Sequence, residues 1–209
     1  MILKAICIVI GYFIGCIQSA FIVGKFMHVD LRKHGSGNLG STNALRVLGK
    51  KAGLITFISD IMKSVISYVI CRLIFGDEIG VIAGMYGCVG AVLGHNFPFY
   101  LKFKGGKGIA VMIGMMLCLS TLDYRVTLIS FAIGIIGLFT KYVSVGSMAF
   151  SVAIPISLYI LKFDTEHIII CTILAILALY RHKENIKRLI AGNENKLGAK
   201  KQQQAVEQK

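Results

Sequence analysis

The stretch ILKAICIVIGYFIGCIQSAFIVG, residues 2–24, carries a single charge, at Lys4. A helix that crosses a bilayer wants roughly 20 consecutive apolar residues, so this run is long enough to span. It lacks a charged leader region beyond Lys4 and a small-residue cleavage site, which argues against a signal peptide. Similar runs recur to the far end of the chain. The pattern predicts spans at about 2–24, 54–75, 80–101, 109–121, 126–139, 144–161 and 168–180. Composition agrees: the 209 residues are 56% hydrophobic with a mean hydropathy of +0.73, whereas soluble domains are roughly 45–50% apolar. The expectation is an all-α, polytopic integral membrane protein of about seven transmembrane helices. Spans four, five and seven are short, and four with five could form a re-entrant hairpin without changing the sidedness of the rest.

Lysine and arginine set the orientation. One side would carry Lys25, Arg32, Lys33, Arg46, Lys50, Lys51, Lys102, Lys104, Lys107, Lys141 and the basic residues after Tyr180, 18 in all. The other would carry only Lys4, Arg72, Arg125 and Lys162. The first side is therefore predicted to be cytoplasmic, with the N-terminus outside and the C-terminus inside. The net charge of +13 is dispersed in loops between spans, which suits anionic headgroups or substrates and not nucleic acid. All six cysteines lie in apolar runs without metal-site or disulfide spacing, and read as small buried hydrophobes. Residues 199–209 are polar and Gln/Lys-rich and are expected to form a disordered tail.

Three polar segments fall on the predicted cytoplasmic side. In Gly35-Ser-Gly-Asn-Leu-Gly-Ser-Thr-Asn-Ala-Leu-Arg46 the glycines at 35, 37 and 40 let successive N–H groups converge. Ser36, Asn38, Ser41, Thr42 and Asn43 add neutral donors, and Arg46 can grip two oxygens. Thr42 or Asn43 would cap a short helix carrying Arg46. The same residues also suit a plain flexible loop. In Phe103-Lys104-Gly105-Gly106-Lys107-Gly108 the glycines precede a helix start, which favours anions. This is no Walker A loop, since Leu101 and Gly108 occupy positions that need Gly and Ser or Thr; a basic interfacial anchor is the plainer alternative. The tail Arg181-His182-Lys183-Glu184-Asn185-Ile186-Lys187-Arg188 places His182 and Asn185 three apart, and also suits an amphipathic surface helix.

Asp60 and Lys63 share one helical face inside span two. Charges there are expensive and usually face a cavity or each other. Either Lys63 reaches a substrate phosphate with Asp60 positioning it, or the two form a self-satisfied pair. His95 precedes Pro98 at the end of span three, and Thr140 to Ser144 offers two hydroxyls and a cation in a short loop. No histidine is followed five positions later by aspartate, and no cluster looks like a metal site; no cofactor is expected.

Together, Gly35 to Arg46, Gly94-His-Asn-Phe-Pro98 with Phe103 to Ala110, and Arg181 to Leu189 with Gly192-x-Glu194-x-Lys196 resemble the bacterial acyl-phosphate:glycerol-3-phosphate acyltransferases, in order and over most of the chain. The resemblance implies a seven-helix enzyme of the bacterial inner membrane, with one domain over residues 1–198. It would move a fatty acyl group from acyl phosphate to the sn-1 hydroxyl of glycerol-3-phosphate, giving lysophosphatidic acid and phosphate. It also implies a soluble partner that makes acyl phosphate. On this reading Ser36, Asn38, the Gly35–Gly40 amides, Lys107 and the Gly105–Gly108 amides cradle one phosphate. Arg46, Ser144, His182 and Asn185 hold glycerol phosphate, and Thr42, Asn43, Asp60, Lys63, His95 and Lys104 line the substrate site. His182 or His95 would take the proton, or the departing phosphate would. The chain departs from the family pattern at Ser64, where a glycine is usual, and at Val111, where threonine is frequent. A transporter for a phosphorylated solute and a non-catalytic lipid-binding paralogue are the rival classes; the gathering of polar motifs on one side counts against the transporter.

Overall fold

The computed structural model describes residues 1–196, so the predicted tail at 199–209 lies outside the described residues. Every regular element among the described residues is helical. They fall into two compact units, 1–115 and 116–196.

The first unit begins with α1 (Ile2–Gly15) and α2 (Ser19–Phe26). The predicted first span is thus broken at residues 16–18. The cause is a polar side chain that the apolar count overlooks. Buried Gln18 turns extended and donates from Nε2 to the His95 carbonyl at 3.0 Å. Tyr100 Oη donates to the Cys16 carbonyl at 2.7 Å, which satisfies a carbonyl exposed by the break. A loop leads to α3 (Ser41–Leu48), and α4 (Lys50–Ile79) follows after Gly49. Then comes α5 (Ile82–Asn96), a 3-10 turn at Phe99–Leu101, and α6 (Ile109–Leu119).

The predicted span at 80–101 stops five residues early. Phe97 precedes Pro98, and a residue before proline is steered out of the helical region; Phe97 sits at φ −134°, ψ 58°. The shortened α5 is buried on nearly every face. Glycine makes that possible: a Cβ on Gly90 would lie 2.1 Å from the Ile8 carbonyl oxygen, and one on Gly11 1.9 Å from that of Gly87. Small residues that let helix backbones touch are the usual glue within a membrane, where lipid offers no hydrophobic drive to association.

The second unit holds α7 (Arg125–Gly134), α8 (Ile136–Thr140), α9 (Val143–Ile160), α10 (Thr165–Arg181) and α11 (Lys183–Ile190). The predicted span at 126–139 is split between α7 and α8, and α11 turns 54° away from α10. Among the described residues, three stretches are long and apolar enough to cross a membrane, namely Ile2–Phe26, Lys50–Ile79 and Val143–Ile160, and a fourth if α10 and α11 count as one bent span. Helices α6 and α7 are apolar but shorter.

Candidate active site

The loop between α2 and α3 is anchored at both ends. Leu31 and Leu39 are buried with Ala20 and Ala44 in one apolar cluster. Arg32 grips both carboxylate oxygens of Asp30 at 2.9 Å, which brings that acid down to about 2. Between the leucines, Gly35 and Gly37 adopt left-handed backbone, which side chains other than glycine enter at a cost. Helix α3 starts from Gly40, so neither Thr42 nor Asn43 caps it. The buried Asn43 clasps the loop instead. Its Oδ1 accepts from the Ser36 amide at 2.9 Å, and its Nδ2 donates to the Leu31 and His34 carbonyls at 3.2 and 3.1 Å. Asn43 is the better clasp because it can accept and donate at once. Ser36 and Thr42 face solvent, while Asn38, Gly40 and Arg46 are half-buried.

Beside this loop lies the segment from His95 to Gly108. The Gly105 amide donates to the Asn96 carbonyl at 3.1 Å and the Gly106 amide to the His95 carbonyl at 3.0 Å. Gly106 has no room for a side chain, since a Cβ there would stand 2.0 Å from His95 Nε2 and 2.8 Å from the Leu39 carbonyl oxygen. The two glycine-rich segments therefore meet at Gly106. Gly108, also left-handed, opens α6. Lys104 is exposed, Lys107 is half-buried, and Gly105, Gly106 and Gly108 are buried. The Gly105 and Gly106 amides, predicted to hold a phosphate, are thus spent on the chain itself; the start of α6 after Gly108 and the Lys107 side chain are what make this segment an anion cradle.

Under the cradle runs a buried polar chain. Lys63 Nζ donates to Asp60 Oδ1 at 2.6 Å, and Ser19 Oγ donates to the same oxygen at 3.0 Å. His95 Nδ1 lies 3.4 Å from Lys63 Nζ. Lys63 also reaches the wall of an apolar groove of about 1040 Å³ between α2 and α4, which Ile17, Ile22, Ile55 and Ile58 line and Lys50 and Lys51 edge. Asp60 and Lys63 were legible as intramembrane charges; Ser19 and Gln18 were not singled out, although polar residues inside an apolar span signal such a network. Asn96 is buried with neither amide atom hydrogen-bonded.

In the second unit the tail folds back on itself. Glu194 accepts at Oε1 from Ser144 Oγ (2.9 Å) and from Asn185 Nδ2 (2.7 Å), and at Oε2 from Arg188 Nε (2.7 Å). Burial would push the Glu194 carboxyl up, but these bonds and the Arg188 charge outweigh it and hold the group below the ordinary carboxylate range. Ser144 and Asn185 were predicted as site residues; Glu194, the hub that gathers them, was legible only as part of the tail motif. Buried His182 closes α10, with Nδ1 2.7 Å from the Ala178 carbonyl oxygen. No group of histidine, cysteine, aspartate or glutamate among the described residues could hold a metal ion.

The two departures from the family pattern lie in the first unit. The Ser64 hydroxyl is fully buried without a hydrogen-bond partner among the described residues, and Val111 is fully buried.

Comparison with known proteins agrees with this picture. The model of a family described as glycerol-3-phosphate acyltransferase matches residues 5–192. The glycerol-3-phosphate acyltransferase of Thermoanaerobacter pseudethanolicus is 45% identical over 194 residues, covering 92% of this chain and 94% of that one. That of Alkaliphilus metalliredigens is 42% identical over 195 residues, covering 92% and 95%. Among solved structures, PlsY (YgiH), an integral membrane glycerol 3-phosphate acyltransferase, in its glycerol 3-phosphate form superposes with a TM-score of 0.84 at 31% identity, covering 99% of both chains. Its lysophosphatidic acid form gives a TM-score of 0.81 over 93% of this chain and 95% of that one. The fold is that of a multi-pass membrane acyltransferase. The chain belongs to the glycerol-3-phosphate acyltransferase family.

Proposed function

We propose that this enzyme transfers a fatty acyl group from acyl phosphate to the sn-1 hydroxyl of glycerol-3-phosphate, releasing lysophosphatidic acid and phosphate. One observation carries the reading: an apolar groove open along α2 and α4 shares Lys63 with the buried polar chain beneath the glycine cradle. A substrate with a fatty tail and a phosphoryl head fits that arrangement of oil beside an anion site. Relatives and solved structures named for glycerol-3-phosphate and lysophosphatidic acid support the acceptor and the product.

Acyl phosphate is a mixed anhydride and already activated, so the protein need not supply a covalent nucleophile. Its work is to hold two anions against repulsion, orient a hydroxyl and stabilise developing charge. In the first unit Ser36, Asn38, Lys107 and the start of α6 at Gly108 take the donor phosphate, and Arg46 contributes a fork for the acceptor. In the second, Ser144 and Asn185 are held by Glu194 as acceptor contacts, and His182 or the departing phosphate takes the proton. The acyl tail lies in the groove. The enzyme sits as seven spans over residues 1–198 in a bacterial inner membrane, N-terminus outside, supplied by a soluble acyl-phosphate-forming enzyme.

The test is release of phosphate from palmitoyl phosphate by purified protein, with and without glycerol-3-phosphate. Release that requires the acceptor, and that Lys107→Ala nearly abolishes, is the expected result. Wild-type rates in Lys107→Ala would remove the cradle from the mechanism, and no release at all would remove the donor.

A further inference from the structure

We infer that Lys63 is a positioning residue that locks His95 in the tautomer with its proton on Nε2. The donor for which the cradle is built comes from the function proposed above; the tautomer itself does not depend on it.

The Lys63 ammonium can only donate, and it lies 2.6 Å from Asp60 Oδ1. His95 Nδ1 lies 3.4 Å from that ammonium but 3.7 Å from Asp60 Oδ1, beyond hydrogen-bond reach of the carboxylate. Nδ1 must therefore accept, and in a neutral imidazole the other nitrogen then carries the hydrogen. A doubly protonated ring would set a second cation against Lys63 in a buried site, which is costly.

The consequence falls on the cradle. Nε2 and the Leu39 carbonyl oxygen flank the same point beside Gly106. The ring set in this way lays its Nε2 edge against Gly106, and its Nδ1, engaged by Lys63, is not the base of the reaction. Ser19, by donating to the same Asp60 oxygen as Lys63, completes the chain that sets the ring.

The experiment is ¹⁵N NMR of histidine-labelled full-length protein in lipid nanodiscs, with the His95 signals assigned by their loss in His95→Gln. The wild type should show a bare Nδ1 and a protonated Nε2. Lys63→Arg, which keeps a donor, should preserve this pattern; Lys63→Met should shift or mix it. In parallel, Lys63→Met should lower kcat/KM for palmitoyl phosphate roughly tenfold or more through KM, and Lys63→Arg should recover part of that loss. A protonated Nδ1, or a doubly protonated ring, in the wild type overturns the inference even if no variant folds. So does a Lys63→Met spectrum identical to the wild type. Failure of the proposed reaction would instead appear as absent turnover in the wild type with the tautomer intact.

Discussion

His182 Nδ1 lies 2.7 Å from the carbonyl oxygen of Ala178, one turn back along α10. A carbonyl can only accept, so Nδ1 carries a hydrogen, and in the neutral ring Nε2 then holds the lone pair. The ring is set in the tautomer opposite to that inferred for His95, and it is the histidine able to take a proton at Nε2. His182→Gln is expected to lower kcat at saturating substrates by about 10²–10³-fold, the usual share of a general base. A rise in KM with kcat largely retained would make the ring a binding group and leave the proton to the departing phosphate.

Glu194 ties Ser144, Asn185 and Arg188 into one cluster. Three bonds converge on one carboxylate, and hydrogen bonds to charged groups contribute about 1.5–3 kcal/mol each. Glu194→Gln keeps the shape but loses the charge, and should lower thermal stability in detergent by several degrees together with acceptor affinity. The pH dependence follows from the depressed carboxyl. Its stabilisation is complete above the ordinary carboxylate range and is lost as pH falls through the lower folded value. A melting series from neutral to acidic pH should therefore slope downward in the wild type and lose part of that slope in Glu194→Gln.

Gly106→Ala tests the cradle by shape alone. The added methyl meets His95 on one side and the Leu39 backbone on the other, and only the ring can give way. A displacement of that order in a substrate-holding segment can cost roughly 10²-fold in rate. The variant should melt lower than the wild type and lose most of its phosphate release; full activity would show that the junction plays no part.

Ser64→Ala removes a buried hydroxyl that has no partner. An unsatisfied buried polar group costs about 1–3 kcal/mol, so the alanine variant should melt higher than the wild type, by a few degrees, without loss of turnover. A fall in activity would instead assign the hydroxyl a role with substrate or water.

What the sequence reveals here depends on whether a signal is carried by consecutive residues or by folding. Continuous apolarity made α4 and α9 legible to within a few residues at most ends, and glycines beside lysine marked the segment before α6. Asn43 was identified as polar and functional, but its clasp on Leu31, His34 and Ser36 depends on a loop closing around it, which spacing does not encode. Gln18 broke a span that an apolar count carried straight through, because its partners lie some 75 residues further on, at Gly94 and His95. Phe97 before Pro98 was a local signal for the end of α5 that the hydropathy window smoothed over. Glu194 stood in a recognisable motif, yet its place at the hub needed the tail to turn back.

The glycine seam between α1 and α5 has a bearing on how an oily molecule could come and go. Where Gly11 and Gly90 press main chain on main chain, there is no slot for a hydrocarbon tail. Lateral traffic is shut out along that seam and is left to the trough between α2 and α4, which isoleucines line. A tightly zipped contact thus gives the first unit a front and a back with respect to the surrounding lipid.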